Sequence, residues 1–238
     1  MTMIPSGQKM MMISIKPIFL LFLFLLILSH KPGFAKKPDV RLRLSGKING
    51  DIFKKLNAGF EYEHRFDQNM TTFDKAFIEP SLSYKLTKKI QMGIQYRIMY
   101  DQNVSREREY KQRFSGYARY KFDIDDFEIK IKAGLQYGFD DLTNEAFNYD
   151  QKLINRNSIE IEYDWFGKKF KPFVEYEFFY HLNHPNGGII NQYRLKAGSS
   201  YNLTKSSKLS FYYAFENEMN IVAPIDSHIF GIGYGYSF

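Results

Sequence analysis

The chain of 238 residues contains no cysteine. That excludes disulfides, thiolate metal sites and a thiol nucleophile. Long hydrophobic runs are also missing past Leu28. Crossing a bilayer as a helix takes roughly 20 apolar residues, and the mean hydropathy of −0.40 excludes a bundle of such helices. A dominant sign of charge is absent too. Lys and Arg number 33 and Asp and Glu 26. Residues 1–35 hold Lys9, Lys16 and Lys31 and no acid, so the remainder carries 33 − 3 = 30 basic against 26 acidic residues, a net +4. The basic residues are spread through alternating segments, with no basic helix or single patch, so no nucleic-acid partner is expected.

The first 35 residues differ in kind from the rest. Lys9 and Lys16 precede an apolar run, Ile18 to Leu28, and a polar stretch ends in Pro32-Gly33-Phe34-Ala35. The run is short for a membrane span and the right length for the apolar core of a secretory signal. This predicts a cleaved signal peptide over residues 1–35 and a mature domain over 36–238. The alternative is an N-terminal anchor helix.

Aromatic residues are abundant: 23 Phe and 18 Tyr, with one Trp, make 18% of the chain. They are distributed with a period of two. At the C-terminus His228, Phe230, Ile232, Tyr234, Tyr236 and Phe238 share one face, and Ile229, Gly231, Gly233, Gly235 and Ser237 share the other. An edge strand this apolar would aggregate in water. In a closed barrel one face meets lipid and closure removes the edge. The aromatic last strand ending in Phe resembles the signal read by the outer-membrane barrel assembly machinery, with Tyr234, Tyr236 and Phe238 as its carriers.

The same alternation recurs from Val40 onward in eleven stretches. Asn49-Gly50-Asp51, Thr87-Lys88, Asp123 to Asp126, Phe166 to Lys169 and Thr204 to Lys208 read as short turns. Between them lie longer, more polar loops at 67–75, 101–110, 140–154, 183–191 and 219–227. Short turns on one side and longer loops on the other are the habit of outer-membrane barrels. Two details sit badly. Pro80 interrupts the third stretch and suggests a bulge. Eleven is odd, whereas bacterial barrels are even-numbered. Either the first stretch is no full strand or one has escaped notice. The expected fold is therefore all-β, an antiparallel transmembrane β-barrel of 10–12 strands, of the outer-membrane type.

Three segments, Gly59-Phe60-Glu61-Tyr62-Glu63-His64-Arg65-Phe66, Leu82-Ser83-Tyr84-Lys85-Leu86-Thr87 and Gly93-Ile94-Gln95-Tyr96-Arg97, carry a family likeness. The chain is similar to the uncharacterised outer-membrane barrels, common in Bacteroidetes-type Gram-negative bacteria, that bear only a domain-of-unknown-function name. The likeness covers most of residues 40–238. It implies a fold and a location, and brings no reaction, substrate or catalytic residue.

The faces opposite the apolar ones are rich in charge. Arg41, Arg43, Glu61, Glu63, Arg65, Arg97, Arg113, Arg119, Lys130, Lys132, Glu160, Glu162, Glu175, Glu177, Arg194, Lys196, Glu216 and Glu218 are the candidates to line the lumen. Paired carboxylates at strand spacing could supply a general acid and base. The simpler reading is a mutually compensated network inside a narrow barrel. Eight strands are just filled by side chains and sixteen leave a channel, so ten to twelve admits both a plug and a narrow pore. Inward glycines (59, 93, 134, 198, 231, 233 and 235) favour the pore. The expected role is a small passive pore or structural envelope protein, with outer-membrane lipid, the assembly machinery and small solutes as partners. The rival is a surface hydrolase or adhesin at the outer rim, where His64, His181, His184, Asp226 and His228 gather. No nucleophile motif surrounds these residues, no metal-ligand spacing recurs, and no cofactor or metal is expected.

Overall fold

Residues 37–102, 108–139, 151–164, 169–185, 187–221 and 224–238 are described in a computed structural model. The expected signal peptide, Trp165 and most of the turn at 166–169 lie outside them. The described chain is all-β. Its strands are β1 (Lys37–Phe53), β2 (Leu56–Asp67), β3 (Thr72–Lys85), β4 (Ile90–Gln102), β5 (Arg108–Ile124), β6 (Phe127–Phe139), β7 (Lys152–Tyr163), β8 (Phe170–His181), β9 (Ile189–Asn202), β10 (Ser207–Glu218) and β11 (Ile225–Ser237). Each pairs with its sequence neighbour, and β1 pairs with β11 to close a barrel of eleven strands.

The strand count is thus the eleven that the alternation showed, and the even-number rule fails here. Strands joined by hairpins alternate in direction, so an odd number leaves the first and last pointing the same way. The closing pair is accordingly parallel, in continuous register from Lys37↔Ile225 to Asn49↔Ser237. Parallel pairing is slightly weaker per residue, and this seam is as long as the antiparallel β4–β5 and β5–β6 pairings. The first stretch is a full strand.

The distribution of side chains is the reverse of a soluble protein's. Leu135 (52% exposed), Phe211 (52%), Met92 (50%) and Ile94 (48%) stand on the outside, while Glu79, Glu177, Glu216, Arg43 and Arg97 are buried within. Rings gather in two bands on the outer wall. At the loop end His64 lies 4.8 Å from both Phe66 and Phe73, and Phe73, Tyr100 and Tyr110 follow across the next strands. At the turn end Tyr120 meets Phe122, and Phe127 meets Tyr163. Apolar walls between two aromatic girdles belong to the outer-membrane type of barrel.

Several local expectations need correction. Asn49-Gly50-Asp51 is not a turn. Gly50 pairs with Ala58 and Asp51 with Asn57, and the chain reverses at Lys54-Lys55. Gly50 serves a close approach instead: a β-carbon there would run into the ring of Phe238, whose N–H donates to Asn49 O at 3.1 Å. Pro80 makes no bulge. The β3–β4 pairs stop at Ile78↔Ile98 and resume on the same diagonal at Ser81↔Gln95. The missing N–H opens the ladder without shifting it. The 67–75 loop shrinks to residues 68–71, where Gln68, Asn69 and Met70 adopt φ of 48°, 59° and 65°. β7 starts at Lys152, earlier than the alternation suggests, which brings Arg156 into the barrel.

Candidate functional site

The eighteen charged candidates face the lumen or its two mouths, and many of them are joined by ion pairs that run from strand to strand. Toward the loop end, Arg194 on β9 reaches Glu177 on β8 at 2.8 Å and also contacts Glu216 on β10. Glu216 in turn meets Arg43 at 3.4 Å and Arg41 at 3.6 Å, both across β11 on β1. Ile229 and Gly231 supply the small or apolar stretch of β11 that these side chains cross, and Ile229 is fully buried. Arg65 holds Glu63 at 2.5 Å, and Lys196 holds Glu175. Nearer the turns Lys130 gathers Glu160 at 2.8 Å and Glu162 at 3.2 Å. Glu61 is ion-paired with Lys47 at 3.6 Å, and Glu218 accepts the Ile225 N–H at 3.1 Å. Arg119 and Lys132 form no ion pair among the described residues.

Among the inward residues that the alternation leaves unplaced, four stand out. Glu79 binds Arg97 at 2.5 Å and Arg113 at 3.6 Å, and accepts from Gln95 Nε2 at 2.9 Å. Arg156 donates to Glu177 at 2.5 and 3.1 Å. Phe77 and Phe179 are large apolar residues on the inner wall, 2% and 7% exposed. Each lies between two guanidiniums: Arg65 and Arg97 at 5.3 and 3.4 Å from the Phe77 ring, Arg156 and Arg194 at 5.2 and 5.4 Å from Phe179. A ring face is a charge-tolerant surface that fixes an arginine without neutralising it.

The inward glycines do not all leave open space. Tyr117 on β5 pairs with Gly93 on one side and Gly134 on the other. Tyr212 on β10 stands likewise between Gly198 and Gly231. A β-carbon at Gly93 would come within 2.6 Å of the Tyr117 ring, and one at Gly231 would overlap Tyr212. Each ring lies flat on the wall over a glycine, so the glycines keep the tyrosines off the axis.

What remains is two polar chambers end to end. The one toward the loops has a volume of about 440 Å³, and the one toward the turns about 510 Å³. Glu61, Arg97, Arg113, Gln136 and Arg156 border both, so the chambers meet at a ring dominated by arginine. The turn-side chamber is lined by eight Lys or Arg against Glu61 and Glu79. A larger hollow of about 690 Å³ lies on the outer wall, where Gly116, Ala118 and Ala133 leave a dent among Leu82, Met92, Ile94 and Leu135. Its lining holds no Asp, Glu, His, Lys or Arg.

The rim histidines do not converge. His64 Nδ1 pairs with Tyr62 Oη at 3.0 Å and His228 Nδ1 with Tyr213 Oη at 2.7 Å, both within the outer aromatic band. His181 is buried on the inner side and its ring meets His184 edge-on at 5.3 Å. Asp226 accepts from Asn217 Nδ2 at 2.6 Å. No cluster of metal-ligating side chains forms among the described residues. Tyr234, Tyr236 and Phe238 stand exposed on the outer wall of β11.

A family model described as "Protein of unknown function (DUF2490)" matches residues 41–221. Among solved structures the chain is similar to the beta domain of the Bordetella autotransporter BrkA, with TM-score 0.49 and 10% identity over 77% of this chain and 82% of that one. It is also similar to a bacterial polysaccharide outer membrane secretin, with TM-score 0.48 and 9% identity over 77% of this chain. The chain spans 63% of the length of that secretin. No curated protein matches it.

Proposed function

The chain belongs to the DUF2490 family of proteins of unknown function, and we propose that it is an integral outer-membrane barrel whose lumen is a narrow, water-filled passage for small polar solutes. In this reading a signal peptide over residues 1–35 takes it across the inner membrane, and Tyr234, Tyr236 and Phe238 present it to the assembly machinery. The apolar wall between two aromatic bands supports the membrane. The observation that carries the passage is the pair of chambers meeting at the ring of Arg97, Arg113 and Arg156. Charged rings of this kind set ion selectivity, and a basic ring favours anions.

A second reading, a closed structural barrel, draws on the ion pairs of Glu177, Arg194, Glu216 and Arg43, which brace one wall. Conductance of the purified protein in planar bilayers separates the two. The passage predicts small, reproducible steps with a reversal potential displaced toward anions. A silent membrane with protein verified as inserted would overturn it.

A further inference from the structure

We propose that the turn-side chamber holds an oxyanion site built on Arg119 and Lys132. The inner ladder places like charges opposite each other at several rungs, and elsewhere an opposite charge bridges them. Arg97 and Arg113 are register partners and share Glu79. Lys121 and Lys130 are partners and share Glu128. Arg43 and Arg65 are partners, and Glu216 takes the first and Glu63 the second. Arg119 and Lys132 are partners as well, and neither forms an ion pair among the described residues. Arg119 Nη1 donates only to the neutral Gln91 Oε1, at 3.2 Å. Both cations lie against the Tyr117 ring, at 5.6 and 4.3 Å.

Like charges directly across a ladder destabilise it, and partial removal from water adds to the cost. Where every other such rung carries its own carboxylate, the one left open onto a chamber takes its counter-charge from a ligand. The opposite wall supports this. Lys208 lies along Gly235, within 3.2 Å of where a β-carbon would stand, and has no ion pair among the described residues. Lys47 flanks Gly235 from β1. An anion held by a planar guanidinium fork and several ammonium groups is a multivalent oxyanion of the phosphate class. The inference rests on the water-filled lumen of the proposed passage, and not on solute crossing it.

The test uses protein purified from membranes in detergent, unfolded thermally in chloride and in inorganic phosphate at matched ionic strength. Phosphate raises the wild-type midpoint saturably. Lys132→Gln and Arg119→Gln each raise the midpoint in chloride, because each removes a repulsion, and each weakens the phosphate response about tenfold or more. Lys121→Gln, in a bridged rung, keeps the wild-type response. A wild-type midpoint indifferent to phosphate, an undiminished response in Lys132→Gln and Arg119→Gln, or loss of folding in both overturns the site. A full phosphate response in a non-conducting barrel keeps the site and removes the passage. Conductance without a phosphate response does the reverse.

Discussion

At the residue scale, position along a strand decides what a side chain does, and neighbours in sequence have opposite fates. Leu135 is exposed on the outer wall, and Gln136 is buried at the ring shared by the chambers. Leu135→Arg is expected to cost about 2–4 kcal/mol in a membrane-embedded barrel. Gln136→Glu puts a carboxylate before Arg97, Arg113 and Arg156 and leaves stability equal or higher. Chemical unfolding in lipid vesicles checks both, and equal losses would mean the wall is read one residue out of register. Glu216 is a different case, since Arg41, Arg43 and Arg194 all converge on it. Glu216→Ala strands buried guanidiniums and is expected to cost about 3–5 kcal/mol in the same assay. Asp51→Asn, at the exposed Asp51–Lys85 pair, leaves stability unchanged.

The same scale shows what was legible. Period two placed Arg43, Glu63 and Glu216 on the inner wall without a structure. Glu79 is hard to place because Pro80 beside it reads as a break in the strand. Arg156 was hidden because residues 151–157, Gln-Lys-Leu-Ile-Asn-Arg-Asn, do not alternate in polarity. Pairing partners lay further out of reach. That Arg97 and Arg113 share one glutamate while Arg119 and Lys132 share none follows from register, and register is a property of two strands at once.

At the element scale the hairpins carry the main surprises. A glycine in a short polar stretch reads as a turn, yet Gly50 sits inside β1 beneath Phe238. Composition does not distinguish a glycine needed for backbone reversal from one needed for close approach. The Gly93–Tyr117–Gly134 and Gly198–Tyr212–Gly231 triplets are the same device on opposite sides of the barrel, and they determine how much lumen is open. Gly231→Val forces Tyr212 off the wall and is expected to destabilise β10–β11 by about 1–3 kcal/mol through overpacking. Tyr212→Ala removes the ring and enlarges the loop-side chamber, which it lines. If that chamber lies on the conducting path, Tyr212→Ala raises single-channel conductance. An unchanged step size would place the limiting aperture at the arginine ring instead.

At the scale of the whole molecule the odd strand number is the governing fact. Eleven alternating stretches are visible in the sequence, the even-number habit of bacterial barrels speaks against that count, and closure of β1 onto β11 resolves it. A parallel seam lets β1 and β11 run together from loop end to turn end. It also brings Ser45 opposite Gly233, with a β-carbon at Gly233 standing 2.8 Å from Ser45 Oγ. The native chain has no cysteine, so a double variant, Ser45→Cys with Gly233→Cys, reports on that contact without background. A disulfide needs β-carbons about 3.5–4.5 Å apart, which register partners on adjacent strands can meet. The expected outcome is spontaneous oxidation that links residues 188 apart (233 − 45), seen as faster migration of the heat-denatured protein on non-reducing gels and reversed by reductant. A ten-stranded barrel closing β2 onto β11 would leave β1 outside the wall, and a twelve-stranded one would put a further strand between the two cysteines. In either case the double variant stays reduced, and the eleven-strand closure, with the lumen it encloses, is wrong.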